Sequence, residues 1–183
     1  MITLINDLRP MTSWNDFARS LCEQYDVRGS LSDKQISSAQ RMIDKMATNR
    51  KIRESKIKTV DTTKIDELFA TAQSNGLKRP NFYVGDLRLS LAGERSKNFG
   101  SIYVQHSGEY MGKITSNTFY PLSSTPQSSI DLLVEVAEDP KQSAIEHGKM
   151  SNHCSMCNKE LTDDHSIEVG YGKVCASNWG LEY

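Results

Sequence analysis

The sequence predicts an α+β protein with a helical N-terminal part, a small antiparallel sheet with short helices, and a C-terminal zinc-binding module. Three observations lead there. Apolar residues recur at spacings of three and four up to about residue 76, and they alternate from Pro80 to about residue 121. Three of the four cysteines then fall within 22 residues of one another near the end. The corresponding regions are 1–78 (helical), 79–149 (sheet plus two short helices) and 150–183 (zinc module).

The first of these regions opens with a loop closed by Pro10. Thr12 or Ser13 offers a helix cap, and Trp14, Phe17, Leu21 and Tyr25 recur at helical spacing as far as the break at Gly29. Cys22 lies inside this helix and reads as a small buried apolar residue. Ser32, with Gln35 three residues on, starts a second helix whose buried stripe is Ile36, Ala39, Met42, Ile43 and Met46. From Arg41 to Lys58 basic residues, among them Arg50, Lys51 and Arg53, meet only two carboxylates, Asp44 and Glu54. Such a run is either a solvated face or a phosphate contact. A third helix, capped around Asp61–Thr63, turns Ile65, Leu68, Phe69 and Ala72 one way and ends at Asn75-Gly76.

From Pro80 the period changes. Phe82, Val84, Leu87, Leu89 and Leu91 read as one strand with an irregularity at Gly85-Asp86, and residues 101–104, 109–114 and 118–120 supply three more. Between the first two strands the polar segment 92–100 carries Arg95, Lys97 and Phe99; it is either an ordinary solvated hairpin connection or the loop best suited to touching a ligand. A Ser, Thr and Pro linker over 123–129 leads to a short helix with acidic residues around it. Pro140 then opens another, which Gly148 closes.

The cysteines carry the chemistry. Cys154-Ser155-Met156-Cys157 puts two thiolates on one tight turn, and Cys175, preceded by Gly170 and Gly172, can bring a third across a short hairpin. A redox pair would sit at a helix start in a βαβ setting and would not need the third cysteine. The expected ion is zinc in a structural role. The fourth ligand comes from His147, His153, His165, Asp163 or Asp164, with His165, inside the hairpin, preferred. No His-Glu-x-x-His or His-x-Glu pairing offers a general base, so a metal-dependent hydrolase has no catalytic residue to name.

The pattern Cys154-x-x-Cys157-Asn158-x-x-Leu161-x-Asp163-x-x-Ser166-x-x-Val169-Gly170-Tyr171-Gly172-x-x-Cys175-Ala176, closing with Trp179-Gly180-Leu181-x-Tyr183, resembles an uncharacterised cysteine-motif domain of bacteriophage and some bacterial proteins. The segment from Pro80 onward resembles, more loosely, the body that precedes this motif in phage proteins. The Leu31–Gln35 helix start is similar to a short module found there. The resemblance implies a small accessory protein acting in the cytoplasm of an infected bacterial cell; it brings no activity with it.

Composition limits the remaining choices. The net charge is −1 over 183 residues, so nucleic acid is not coated by bulk charge and local patches must carry any such contact. Neither a signal-peptide pattern nor an apolar run of about 20 residues occurs, so the expectation is a cytosolic protein without membrane contact. Two partners fit. A nucleic acid would be held by Arg50, Lys51, Arg53, Arg88, Arg95, Lys97 and Lys113, with Phe99, Tyr103 and Tyr110 available to stack. A host protein, bound by a module that zinc merely holds together, is the other; the oligomeric state is not set by the sequence.

Overall fold

The computed structural model describes all 183 residues, Met1–Tyr183, and they form two compact units, residues 1–54 and 55–183. No helix is long and apolar enough to cross a membrane.

The first unit is helical: α1 (Ile2–Leu8), a 3-10 turn (Arg9–Met11), α2 (Asp16–Arg28) and α3 (Asp33–Ser55), the last running one residue past its boundary. The expected opening loop is therefore a helix. It buries Leu4, Ile5 and Leu8 against Ala18, Leu21, Cys22, Leu31 and Ala39. No side chain caps its start, so no capping residue marks it in the sequence. Asn15, rather than Thr12 or Ser13, caps α2 by accepting the Ala18 N–H, and Gly29 ends it in the left-handed conformation. The cap thus sits later than expected, and Trp14 and Phe17 are exposed instead of buried. At α3 the capping box forms: Ser32 N–H donates to Gln35 Oε1 (2.9 Å) and Gln35 N–H to Ser32 Oγ (3.3 Å).

The second unit is built on a six-stranded antiparallel sheet in the order β1-β6-β5-β4-β3-β2. Its strands are β1 (Lys58–Thr59), β2 (Asn81–Val84), β3 (Leu87–Leu91), β4 (Ile102–His106), β5 (Glu109–Thr115) and β6 (Thr118–Pro121). The irregularity expected at Gly85-Asp86 is a complete reversal that splits one predicted strand into the β2–β3 hairpin. Phe82, Leu87, Leu89, Ile102, Val104, Ile114 and Phe119 line one face and share a single core with α4 (Thr63–Ser74), α5 (Gln127–Glu138) and α6 (Pro140–Ser151). That core also takes in Cys154, Met156, Leu161, Tyr171 and Trp179, so the cysteine module packs into the body of the unit.

Two short helices, α7 (Asp164–Val169) and α8 (Lys173–Trp179), complete the chain. The docking of α7 on α6 explains the glycines. Gly148 does not close α6, which runs on to Ser151; it sits inside the helix because a Cβ there would lie 2.4 Å from the Gly170 Cα. Gly170 has φ +85°, and a Cβ on it would lie 2.0 Å from the Ala144 carbonyl oxygen. Backbone meets backbone here, so no side-chain rotation can relieve an added methyl. Gly170→Ala should therefore destabilise the second unit by about 2 kcal/mol or more, combining the overpacking and left-handed penalties. Thermal melting followed by the fluorescence of buried Trp179 checks it; an unchanged midpoint would contradict the tight crossing.

Candidate functional site

Two features of the second unit carry chemistry: the cysteine cluster and the uncovered face of the sheet. The cluster begins with a knuckle over residues 152–161. Cys154 N–H donates to the Lys159 carbonyl (2.8 Å), Asn158 N–H to the Cys154 carbonyl (2.8 Å) and Leu161 N–H to the Asn152 carbonyl (2.7 Å). Asn158 turns the chain with φ 57°, a conformation asparagine tolerates. This turn points Cys154 and Cys157 to one side, and Cys175 reaches them from the first turn of α8.

The three sulfurs lie within 4.8 Å of one another. Three thiolates around one tetrahedral ion with bonds of about 2.3 Å stand about 3.8 Å apart, so a small contraction would close the set on a metal. Cys154 is buried and Cys157 exposed. The Cys175 thiol and the backbone N–H groups of Met156, Gly172 and Cys157 donate to the Cys154 sulfur, holding its pKa down to about 5 against the effect of burial. Cys175 moves the other way, because its proton is engaged by Cys154 and its own burial disfavours a second thiolate. A metal ion relieves that repulsion, so the donor set fits one: the three close cysteines could hold a metal ion.

The cluster of close ligand atoms contains none of the other candidates: Asp164 is exposed in the first turn of α7, and the rest have contacts of their own. His165 stands outside the cluster, its ring edge-on to Tyr183 at 4.7 Å. Buried His147 accepts the Gly85 N–H at Nδ1 (2.9 Å), and burial lowers its pKa, so it is a neutral ring serving the sheet. His153 Nδ1 lies 2.6 Å from the Ser151 carbonyl oxygen. Asp163 caps α7 by accepting the Ser166 N–H (2.8 Å) and also takes the Tyr183 hydroxyl (2.8 Å); the Ser166 side chain foremost, then these two contacts, hold its pKa down to about 2. The motif's non-cysteine residues thus build the module: Asp163 and Ser166 start α7, Leu161 and Tyr171 fill the core, and Gly170 permits the crossing with α6.

The knuckle is tied to the sheet. Ser155 N–H donates to the Gly170 carbonyl (2.9 Å), its hydroxyl to the Ala144 carbonyl (3.1 Å), and its own carbonyl accepts the Tyr83 N–H of edge strand β2 (2.7 Å). Cysteine spacing alone gave no hint of this connection.

Strand register decides what the opposite face of the sheet displays. Tyr83, Arg88, Gln105 and Tyr110 lie side by side across β2–β5. The next row is Asn81, Ser90, Tyr103, Lys113 and Tyr120. Neither row contains a carboxylate. Arg88 is held by two hydrogen bonds to Asn81 Oδ1 (3.0 and 2.9 Å), with its guanidinium 5.7 Å from the centre of the Tyr83 ring. Lys113 Nζ donates to Asn98 Oδ1 (2.6 Å), while the Asn98 amide (3.1 Å) and Ser96 hydroxyl (2.7 Å) bond the Tyr103 hydroxyl. These bonds fold the 92–101 loop down beside the sheet and, Ser96 foremost, lower the Tyr103 pKa.

Of the residues expected to meet nucleic acid, Arg88 and Lys113 therefore share one face, on β3 and β5 with β4 between them, and Arg95 and Lys97 are exposed on its rim. Arg50, Lys51 and Arg53 lie on the exposed end of α3 in the first unit, with Arg50 paired to Glu54 (2.7 Å). Tyr83, Gln105 and Tyr120 were not singled out from the sequence; only the pairing of strands reveals them as neighbours of Arg88 and Lys113.

Residues 144–180 match a family described as of unknown function, DUF6011. No curated protein and no solved structure matches the chain.

The purified chain should take up one metal ion, and Cys157→Ser or Cys175→Ser should weaken binding by more than the roughly 10- to 100-fold typical of losing an outer hydrogen bond. Affinity should fall steadily as pH is lowered, because Cys175 holds a proton that the metal must displace, and more steeply toward about 5, where Cys154 takes one up as well. Metal-binding titrations across pH check both points; uptake undiminished in both variants would remove the cluster as the site.

Proposed function

We propose that the chain is a small nucleic-acid-binding accessory protein whose second unit is stabilised by a structural zinc. Zinc suits three thiolates on a knuckle and a helix start, since it favours sulfur ligands in tetrahedral sites and needs no redox partner. The observation that carries the nucleic-acid reading is the uncovered sheet face, with Arg88 and Lys113 set among neutral polar and aromatic side chains and no carboxylate in either row. Each cation keeps N–H groups beyond those it uses on Asn81 or Asn98, and these can meet phosphate oxygens. A local patch of this kind suits a chain whose net charge is only −1. The resemblance of the C-terminal residues to a motif of bacteriophage proteins supports a setting in the cytoplasm of an infected bacterium.

A protein partner is the second reading, favoured by the first unit. Ile2, Trp14, Phe17 and Val27 are each exposed there, apolar side chains that a host protein could cover. The two readings concern different units and can hold together.

Fluorescence anisotropy with labelled oligonucleotides at two salt concentrations tests the first. Affinity should fall steeply with salt. Arg88→Ala and Lys113→Ala should each weaken binding and reduce the salt slope by about 1. Binding that ignores salt, or that neither substitution changes, would remove the sheet face as a phosphate contact.

A further inference from the structure

A β-bulge decides what Tyr110 does. Val104 pairs with Gly112 but Gln105 pairs with Tyr110, so Met111 is an extra residue in β5. Simple alternation would put residue 110 on the same face as residues 112 and 114, where Ile114 is buried in the core. The bulge reverses that parity. Met111 goes inward, 7 % exposed, and Tyr110 comes out onto the open face, 42 % exposed. Its ring meets Tyr103 edge-on with centroids 5.9 Å apart. Gly112, at φ +152°, makes the bulge feasible where the strands crowd, since a Cβ there would lie 2.4 Å from the Tyr120 carbonyl oxygen.

The two rings, with Arg88, Ser90, Asn98 and Gln105, line a concavity of about 420 Å³ on this face. Tyr120 stands two strands from Tyr103 in the same row, about 10 Å away at the usual strand spacing, with Lys113 between them. An aromatic platform, a cation and a second aromatic platform follow one another across the strands. A duplex keeps its bases stacked inside and offers such a surface only phosphates. An unpaired strand offers base faces as well, with a phosphate between successive bases, and that is the ligand whose chemistry matches the row.

We infer that the open sheet face binds single-stranded nucleic acid, stacking unpaired bases on Tyr103, Tyr110 and Tyr120 while Arg88 and Lys113 hold the phosphates between them. The inference rests on the nucleic-acid reading above and adds the strandedness of the ligand. Its readout is stacking, which is tolerant of base identity because every base has a π face.

The test uses the zinc-loaded full chain and three labelled probes: oligo-deoxythymidine, an unstructured single-stranded RNA and a duplex DNA. Either single strand should bind at least about ten-fold tighter than the duplex. Tyr110→Ala should weaken single-strand binding by about 5- to 150-fold, whereas Tyr110→Phe, which keeps the ring, should bind like the parent. Tyr120→Ala, also at an exposed position, should weaken it in the same sense and serves if Tyr110→Ala does not fold by circular dichroism. Equal or tighter duplex binding, or single-strand affinity unchanged in a folded alanine variant, overturns the inference and leaves salt-dependent nucleic-acid binding standing. Binding to none of the probes removes both readings.

Discussion

An edge strand with unpaired N–H groups is the weak point of an open sheet, and in this protein the cysteine knuckle covers it. Strand β2 pairs with β3 on one side only. On its other side Tyr83 donates to the Ser155 carbonyl (2.7 Å), and Gly85, just past its end, donates to His147 Nδ1 (2.9 Å). Both acceptors belong to the segment that α6 and the knuckle build, and the crossing of Gly148 and Gly170 fixes that segment against α7. The knuckle in turn needs its three sulfurs brought together, which is costly for thiolates unless a metal neutralises them.

The dependence runs on into the uncovered face. Tyr83 is the outermost member of the row that contains Arg88, Gln105 and Tyr110, and its ring lies under the Arg88 guanidinium. A loose β2 would release Tyr83 and, with Asn81, one of the two contacts that hold Arg88 in place. The cysteine cluster and the proposed binding face are thus two ends of one hydrogen-bonded assembly. An ion held by the cluster could govern binding here without touching the ligand.

How much could be read from the sequence follows from which forces are local. The Ser32–Gln35 box, the helical stripe over residues 65–72 and the cysteine spacing each state their meaning within a few residues, and the structure contains the corresponding cap, helix and cluster. What failed was set by distant partners or by weak ends. Helix α1 lacks a side-chain cap, so residues 2–8 resembled a loop. Gly85-Asp86 looked like a defect in one strand because the hydrophobic alternation carries on through a two-residue turn. Gly148 looked like a helix end, although its reason for being glycine is a backbone that arrives from residue 170. The bulge at Met111 is the instructive case. Alternation over residues 109–114 cannot show that one residue is skipped, and so could not place Tyr110 beside Tyr103. The aromatic and basic residues of the face were visible individually, but register made them a surface.

The coupling of the cysteine cluster to the sheet edge is measured most directly by amide hydrogen exchange at Tyr83 and Gly85 in the metal-loaded and metal-stripped chain. Both amides should be protected with metal bound and exchange much faster once it is removed, while the central strands β4 and β5 stay protected. Equal protection of Tyr83 and Gly85 in the two states would show that the sheet edge stands without the metal, and would separate the cysteine site from the face it is held here to organise.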